Sequence, residues 1–362
     1  MTRTLDLGPA EEARLRQSPY LQARFHAWEA WDSPLAKAWL DLCAPALLAQ
    51  LGLSHLQGRH LSQLSSGEFR KARIAVALSE NPGQLILKNP YAGPDPSSRE
   101  ALTAILGGLE NISVTEDGAG PALSAFRLSG SPWLDPRAPA SIASLQGLRI
   151  AYDGLLLFEN LDWEIMSGSR WRLKGPNGSG KTSLLALLQG DHPQAYAGGL
   201  SLFGRARGSG ESIWELKARI GALSPELHAF FPAGLSVRDS LLSGFFDSLG
   251  LFRRPSPAHE AAADEWLMSA GLKHLEGEPF GGLSFFQQRL LLFFRALIKR
   301  PALLLLDEPC QGLNDAEAAR LLQAIGQIAG RSEGALVFCG HREDQLPPGL
   351  NQSMALPGPA AI

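Results

Sequence analysis

Apolar positions along the chain fall into runs whose period predicts the elements. LRIAYDG (148–154), LLLFENLDWEI (155–165) and SRWRLKG (169–175) alternate as strands do, and TSLLALLQGD (182–191) reads as a helix. LLLLD (303–307) and GALVFCGH (334–341) are short continuous apolar runs. Such runs suit strands buried on both faces of a mostly parallel sheet. Strands alternating with helices argue for an α/β domain. Residues 11–51 read as helix-rich, with Trp28, Trp31 and Trp39 as core residues.

The pattern also repeats. Residues 64–95 read LSSGEFRKARIAVALSENPGQLILKNPYAGPD and residues 283–314 read LSFFQQRLLLFFRALIKRPALLLLDEPCQGLN. Each has Leu-Ser, a basic helix-like segment, an apolar run and a proline. The offset between them is 219 from Leu64/Leu283 to Pro90/Pro309, without a gap. This predicts two related units. Between them SPWLDPRAPASIASLQG (131–147), rich in Pro, Ala and Ser, reads as a short linker.

Composition narrows the classes. The 362 residues are 45% hydrophobic and 19% charged, an ordinary globular balance that excludes a disordered or fibrous chain. With 33 basic and 36 acidic residues the net charge is −3, so composition indicates no nucleic-acid partner. Cys43, Cys310 and Cys339 are too few and too scattered for a disulfide framework or a zinc cluster, which fits a cytoplasmic setting. Arg295, Lys299 and Arg300 interrupt the most apolar stretch, so the sequence predicts no transmembrane segment.

One segment carries phosphate chemistry. Gly175-Pro176-Asn177-Gly178-Ser179-Gly180-Lys181-Thr182, followed by Ser183, fits G-x-x-x-x-G-K-[ST]. The glycines let successive N–H groups turn toward phosphate oxygens, and the helix that follows aims its positive end there. Lys181 can bridge the β- and γ-phosphates, and Thr182 can ligate Mg2+. In LLLLDEP, Asp307 can hold the metal and Glu308 can polarise a water.

These motifs resemble those of ATP-binding cassette (ABC) ATPases. The loops GDHPQAYAGGLSLFGRARGSGESIWELKARIG (190–221) and LLSGFFDSLGLF (241–252), with the short linker, resemble the tandem-cassette, ModF-type members associated with molybdate uptake and also called photorepair proteins. The resemblance implies an α/β P-loop NTPase fold: a cassette with a mostly parallel sheet and a helical subdomain, preceded by a partial second cassette. The implied domains are 1–130 (partial and degenerate), 131–144 (linker) and 145–362 (complete). It further implies ATP and Mg2+ as ligands, Tyr152 stacking on adenine, and His341 contacting the γ-phosphate. A membrane permease subunit is the implied partner, at the inner membrane. A family member would carry about a hundred more residues upstream, so the first cassette is expected to be N-terminally truncated.

The departures from the family form a pattern. Lys88 and Asn89 stand where the first unit should have Asp and Glu, and Glu116 sits near its switch-histidine position. The second unit's signature reads Leu283-Ser-Phe-Phe-Gln287 instead of LSGGQ, and Phe285 and Phe286 are expected to block a partner's γ-phosphate. Cassettes of this family pair head to tail, which leaves one expected composite site. It joins Lys181, Asp307, Glu308 and His341 to the first unit's signature, Ser65, Ser66, Gly67 and Glu68. Pro225-Glu226 occupies the position of the family's glutamine loop. The expected function is ATP hydrolysis at that single site for a transport system. A regulatory module that binds ATP with little or no hydrolysis fits the same motifs, and so does a truncated product without activity.

Overall fold

A computed structural model describes residues 2–6, 40–56, 58, 66–80, 84–88, 103, 106, 112–115, 139–152, 155–176, 178–196, 198–331, 333–340, 342–358 and 360–361. The chain divides into two compact units. One comprises Met1–Gly120 with Glu226–Phe231 and Gln311–Asp315. The other comprises Pro121–Pro225, Pro232–Cys310 and Ala316–Ile362.

In the first unit, strand β1 (Thr2–Asp6) is followed by helices α1 (Pro45–Gln50) and α2 (Ser66–Ser79) and strands β2 (Gln84–Lys88) and β3 (Ile112–Thr115). The strands form a parallel sheet in the order β1-β2-β3. Leu85 and Leu87 of β2 and Ala72, Ile74 and Ala75 of α2 share one buried cluster.

In the second unit, β4 (Ser141–Tyr152), β5 (Leu155–Met166) and β6 (Arg170–Lys174) precede α3 (Lys181–Gln189). There follow β7 (Leu200–Leu202), β8 (Arg205–Ala206), α4 (Ile213–Lys217) and β9 (Ile220–Leu223), and then α5 (Pro225–Phe230), of which Glu226–Phe230 group with the first unit. Helices α6 (Val237–Leu242), α7 (Pro257–Ser269) and α8 (Phe285–Leu297) lead to β10 (Leu303–Asp307). Helix α9 (Asp315–Ala329) and strands β11 (Ala335–Cys339), β12 (Gln352–Ala355) and β13 (Ala360–Ala361) end the chain.

The strands make two five-stranded sheets. One, β12-β6-β11-β10-β9, is parallel throughout, and the other, β13-β5-β4-β7-β8, is antiparallel. Every residue of β10 and β11 is buried, as a strand covered on both faces requires. Leu303, Leu305, Ala335, Val337 and Cys339 share a core cluster with Leu184, Leu185, Leu187 and Leu188 of α3. The side chains between them on the two strands point to the opposite face.

The repeat is visible in the elements. Helix α2 starts at Ser66 and α8 at Phe285, while β2 starts at Gln84 and β10 at Leu303, all at the offset of 219. Strand β4 starts at Ser141, inside the segment expected as linker. Ile142 and Ala143 join the second unit's core, because two apolar side chains there outweigh the Pro, Ala and Ser around them.

The segment 243–250 is anchored on α8. Arg295 donates to Ser243 Oγ and to the Ser248 carbonyl, both at 2.8 Å. Lys299 pairs with Asp247 and donates to the Lys217 carbonyl at 2.6 Å. Gly244 lies so close to the helix that a Cβ there would sit 2.3 Å from the Arg295 carbonyl oxygen. Among the described residues, no helix is long and apolar enough to cross a membrane.

Candidate functional site

The phosphate-loop sequence sits where its chemistry needs it, between the end of β6 at Lys174 and the start of α3 at Lys181. Gly180 caps α3 in a left-handed conformation (φ 88°), and no side chain caps the first turn. The helix therefore presents uncapped N–H groups and the positive end of its dipole to the loop. Gly175 has φ 155°, and a Cβ there would lie 2.4 Å from Ser179 Oγ, so the loop closes only around glycine. Ser179 Oγ is buried and has no hydrogen-bond partner among the described residues. Lys181 is 9% exposed, and its Nζ donates to the carbonyls of Gly175 and Pro176 at 2.8 Å each. Pro176 and Gly178 are exposed, whereas Ser183 in the first turn of α3 is half-buried.

Strand β10 brings in the carboxylates. Thr182 Oγ1 donates to Asp307 Oδ2 at 3.1 Å, which joins the first turn of α3 to the end of β10. Asp307 is 9% exposed. Glu308 follows in a left-handed conformation (φ 43°) that residues with side chains seldom adopt, and its N–H donates to the Cys339 carbonyl at 2.9 Å. Ligand atoms of Asp307, Glu308 and Cys339 all lie within 4.8 Å of one another. Burial, then the adjacent charges of Asp307 and Glu308, pushes the Cys339 thiol far above its ordinary pKa, so it stays protonated. Hydroxyl, carboxylates, lysine and helix dipole together suit a magnesium-bound triphosphate, to whose metal Thr182 and Asp307 could offer oxygen donors.

Lys181, Thr182, Asp307 and Glu308 thus lie together where β10 ends and α3 begins. Tyr152 ends β4, and its side chain lies outside the described residues, as do Asn177, His341, Ser65, Asn89 and Glu116 altogether. Ser66, Gly67 and Glu68 open α2, where the Glu68 carboxylate lies 3.8 Å from His55 Nε2. Lys88 ends β2, and Pro225 and Glu226 open α5.

The signature segment of the second unit departs from expectation. Ser284 caps α8 in a reciprocal capping box with Gln287. Phe286 is 1% exposed and lies under the Arg320 guanidinium, 4.7 Å from its ring centroid. It therefore faces the interior, and of the two phenylalanines expected to obstruct a partner only Phe285 is partly exposed. The sequence reading also missed Cys339. Its signal was positional: strand parity puts it on the same face as Leu303 and Leu305, level with Asp307.

Comparison with known proteins adds the following. A family described as ABC transporter matches residues 158–311. ABC transporter ATP-binding protein ModF of Escherichia coli (strain K12) is 33% identical, over 83% of this chain and 71% of that protein. An ABC transporter ATP-binding protein of Schizosaccharomyces pombe is 32% identical, over 83% of this chain and 69% of its own length. Among solved structures, CbiO1 from Clostridium perfringens, part of the ABC transporter complex CbiONQ, has a TM-score of 0.52 at 21% identity. That likeness covers 60% of this chain and 85% of that one.

Proposed function

This chain belongs to the ABC transporter ATP-binding family, and from that premise we propose that its second unit hydrolyses ATP at the Gly175–Ser183 loop to energise a transport system. The observation that carries the reading is the 3.1 Å hydrogen bond from Thr182 to Asp307. It draws the phosphate loop and the two carboxylates into one site. When bound, Mg2+ neutralises charge on the transferred phosphoryl group. The loop amides, Ser179 Oγ and Lys181 hold the phosphates, Thr182 and Asp307 hold the metal, and Tyr152 takes the adenine. Glu308 orients water for in-line attack, and Lys181 and His341 stabilise the charge that spreads over the γ-phosphate oxygens.

One bound ATP per chain is the expected stoichiometry. No second G-x-x-x-x-G-K-[ST] occurs in the 362 residues, and Lys88 and Asn89 replace the carboxylates in the repeat. The first unit's Ser65–Glu68 segment is proposed as its signature. The resemblance suggests molybdate as the cargo and a membrane permease as the partner.

The test is steady-state phosphate release alongside calorimetric ATP binding. Glu308→Gln should retain binding and lower turnover by about 10²- to 10⁴-fold, the range for loss of a positioned acid–base group. Unchanged turnover would remove Glu308 from its role, and two ATP per chain would end the single-site reading. A second reading, ATP binding with little hydrolysis, is favoured by Pro225 at the glutamine-loop position. Binding without phosphate release in the wild-type chain selects it.

A further inference from the structure

Strand β6 buries an arginine whose partner stands on the segment after β11. Arg172 lies between Trp171 and Leu173, and Leu173 joins the core cluster shared with α3. Strand parity therefore turns Arg172 to the face of the sheet away from α3. Its side chain is 9% exposed, and its Nε has no hydrogen-bond partner. Among the described residues Glu343 is its ion-pair partner: Arg172 Nη1 donates to Glu343 Oε2 at 2.5 Å. The pairing of β11 with β6 sets Phe338 level with Arg172, so both side chains share that face. Gly340 follows β11, and a Cβ there would lie 2.8 Å from the Phe338 ring, so only glycine lets the chain leave the sheet so near it. Beyond it Arg342 pairs with Asp344 at 2.5 Å, and the Gln345 N–H donates to the Arg342 carbonyl at 3.3 Å. His341 is the single residue between Gly340 and this turn.

We propose that Arg172 and Glu343 are positioning residues for His341, their ion pair pinning the chain two residues past it to the neighbouring strand β6 and so presenting the imidazole to the γ-phosphate. The inference rests on the reading that His341 stabilises charge on that phosphate. An ion pair between two exposed side chains would hold such a segment weakly. Here only Glu343 is exposed, at 77%, and moving it away would strand a buried cation on the sheet. The hydrogen bond from Arg172 holds the Glu343 carboxyl below its ordinary pKa, so the pair stays ionised at neutral pH. The segment is thus tied at both ends, by β11 before His341 and by Arg172 after it. Neither Arg172 nor Glu343 touches substrate in this scheme.

The test places Glu343→Ala, at an exposed position, in the full chain and in His341→Ala. Loss of one charge-assisted hydrogen bond predicts a drop of about tenfold in kcat for Glu343→Ala, with the Kd of ATP unchanged. In the His341→Ala background the same substitution should lower kcat no further, an outcome that a merely structural role would not give. Unchanged kcat in Glu343→Ala, or losses that multiply in the double variant, overturn the proposal. An activity-independent arm follows hydrogen exchange of residues 342–346. Exchange there, including the Gln345 amide, should quicken in Glu343→Ala and in Arg172→Met alike, and exchange as slow as in the wild type overturns the hold of the ion pair. A His341→Ala chain that turns over ATP as the wild type does sinks the reading of His341, while hydrogen exchange still decides whether the pair pins the segment.

Discussion

The buried ammonium of Lys299 should write a pH signature into stability. Its side chain is 5% exposed, paired with Asp247 and bound to the Lys217 carbonyl. Burial lowers its pKa from 10.5 to about 8, with Asp247 pulling the other way. Below about pH 8 the lysine is charged in both folded and unfolded chains, and the full cost of burying that charge is present. Between about 8 and 10.5 the unfolded chain keeps a proton that the folded chain has lost, so stability rises with pH across that window. At 1.36 kcal/mol per pH unit, the rise comes to about 3 kcal/mol. Lys299→Met removes the titrating group and should lack this rise. Urea unfolding followed by tryptophan fluorescence suits the measurement, because Trp266 lies against Phe294 of α8, with ring centroids 5.4 Å apart. Other alkaline titrations act on both proteins and cancel in the difference. Wild-type and variant stabilities that run parallel from about pH 7 to 10.5 would refute the reasoning.

Two further outcomes follow from packing. Gly244→Ala would place a methyl 2.3 Å from the Arg295 carbonyl, a backbone atom fixed within α8, and should cost about 1–3 kcal/mol, read as a lower Tm. Leu305→Ala, in the middle of β10 at 1% exposure, should cost about 2–5 kcal/mol in denaturant unfolding. Its Kd for ATP should stay unchanged where the chain remains folded, since Leu305 packs against α3 and not in the phosphate loop.

The cradle and its carboxylates were legible because local spacing determines them. A glycine-rich turn between a strand and a helix, and an apolar run ending in Asp-Glu, need no distant partner to be read. The repeat was legible for a related reason: equal spacing in sequence became equal spacing of α2–β2 and α8–β10. What escaped depended on pairing across the chain. Cys339 acquires meaning only through its register with Asp307, 32 residues away. Phe286 turns inward because its place on α8 sets it beneath Arg320, which a motif comparison does not weigh. Strand β4 reaches back to Ser141 because it pairs with both β5 and β7, contacts invisible in a Pro- and Ala-rich stretch.

All five strands of the parallel sheet point the same way, so Gly175, Ser224, Glu308, Gly340 and Leu356 each leave it at a common rim. Mutational drift should therefore split by depth. Aliphatic exchanges in the interior tune how long the molecule survives, and substitutions along that single border decide what it can react with.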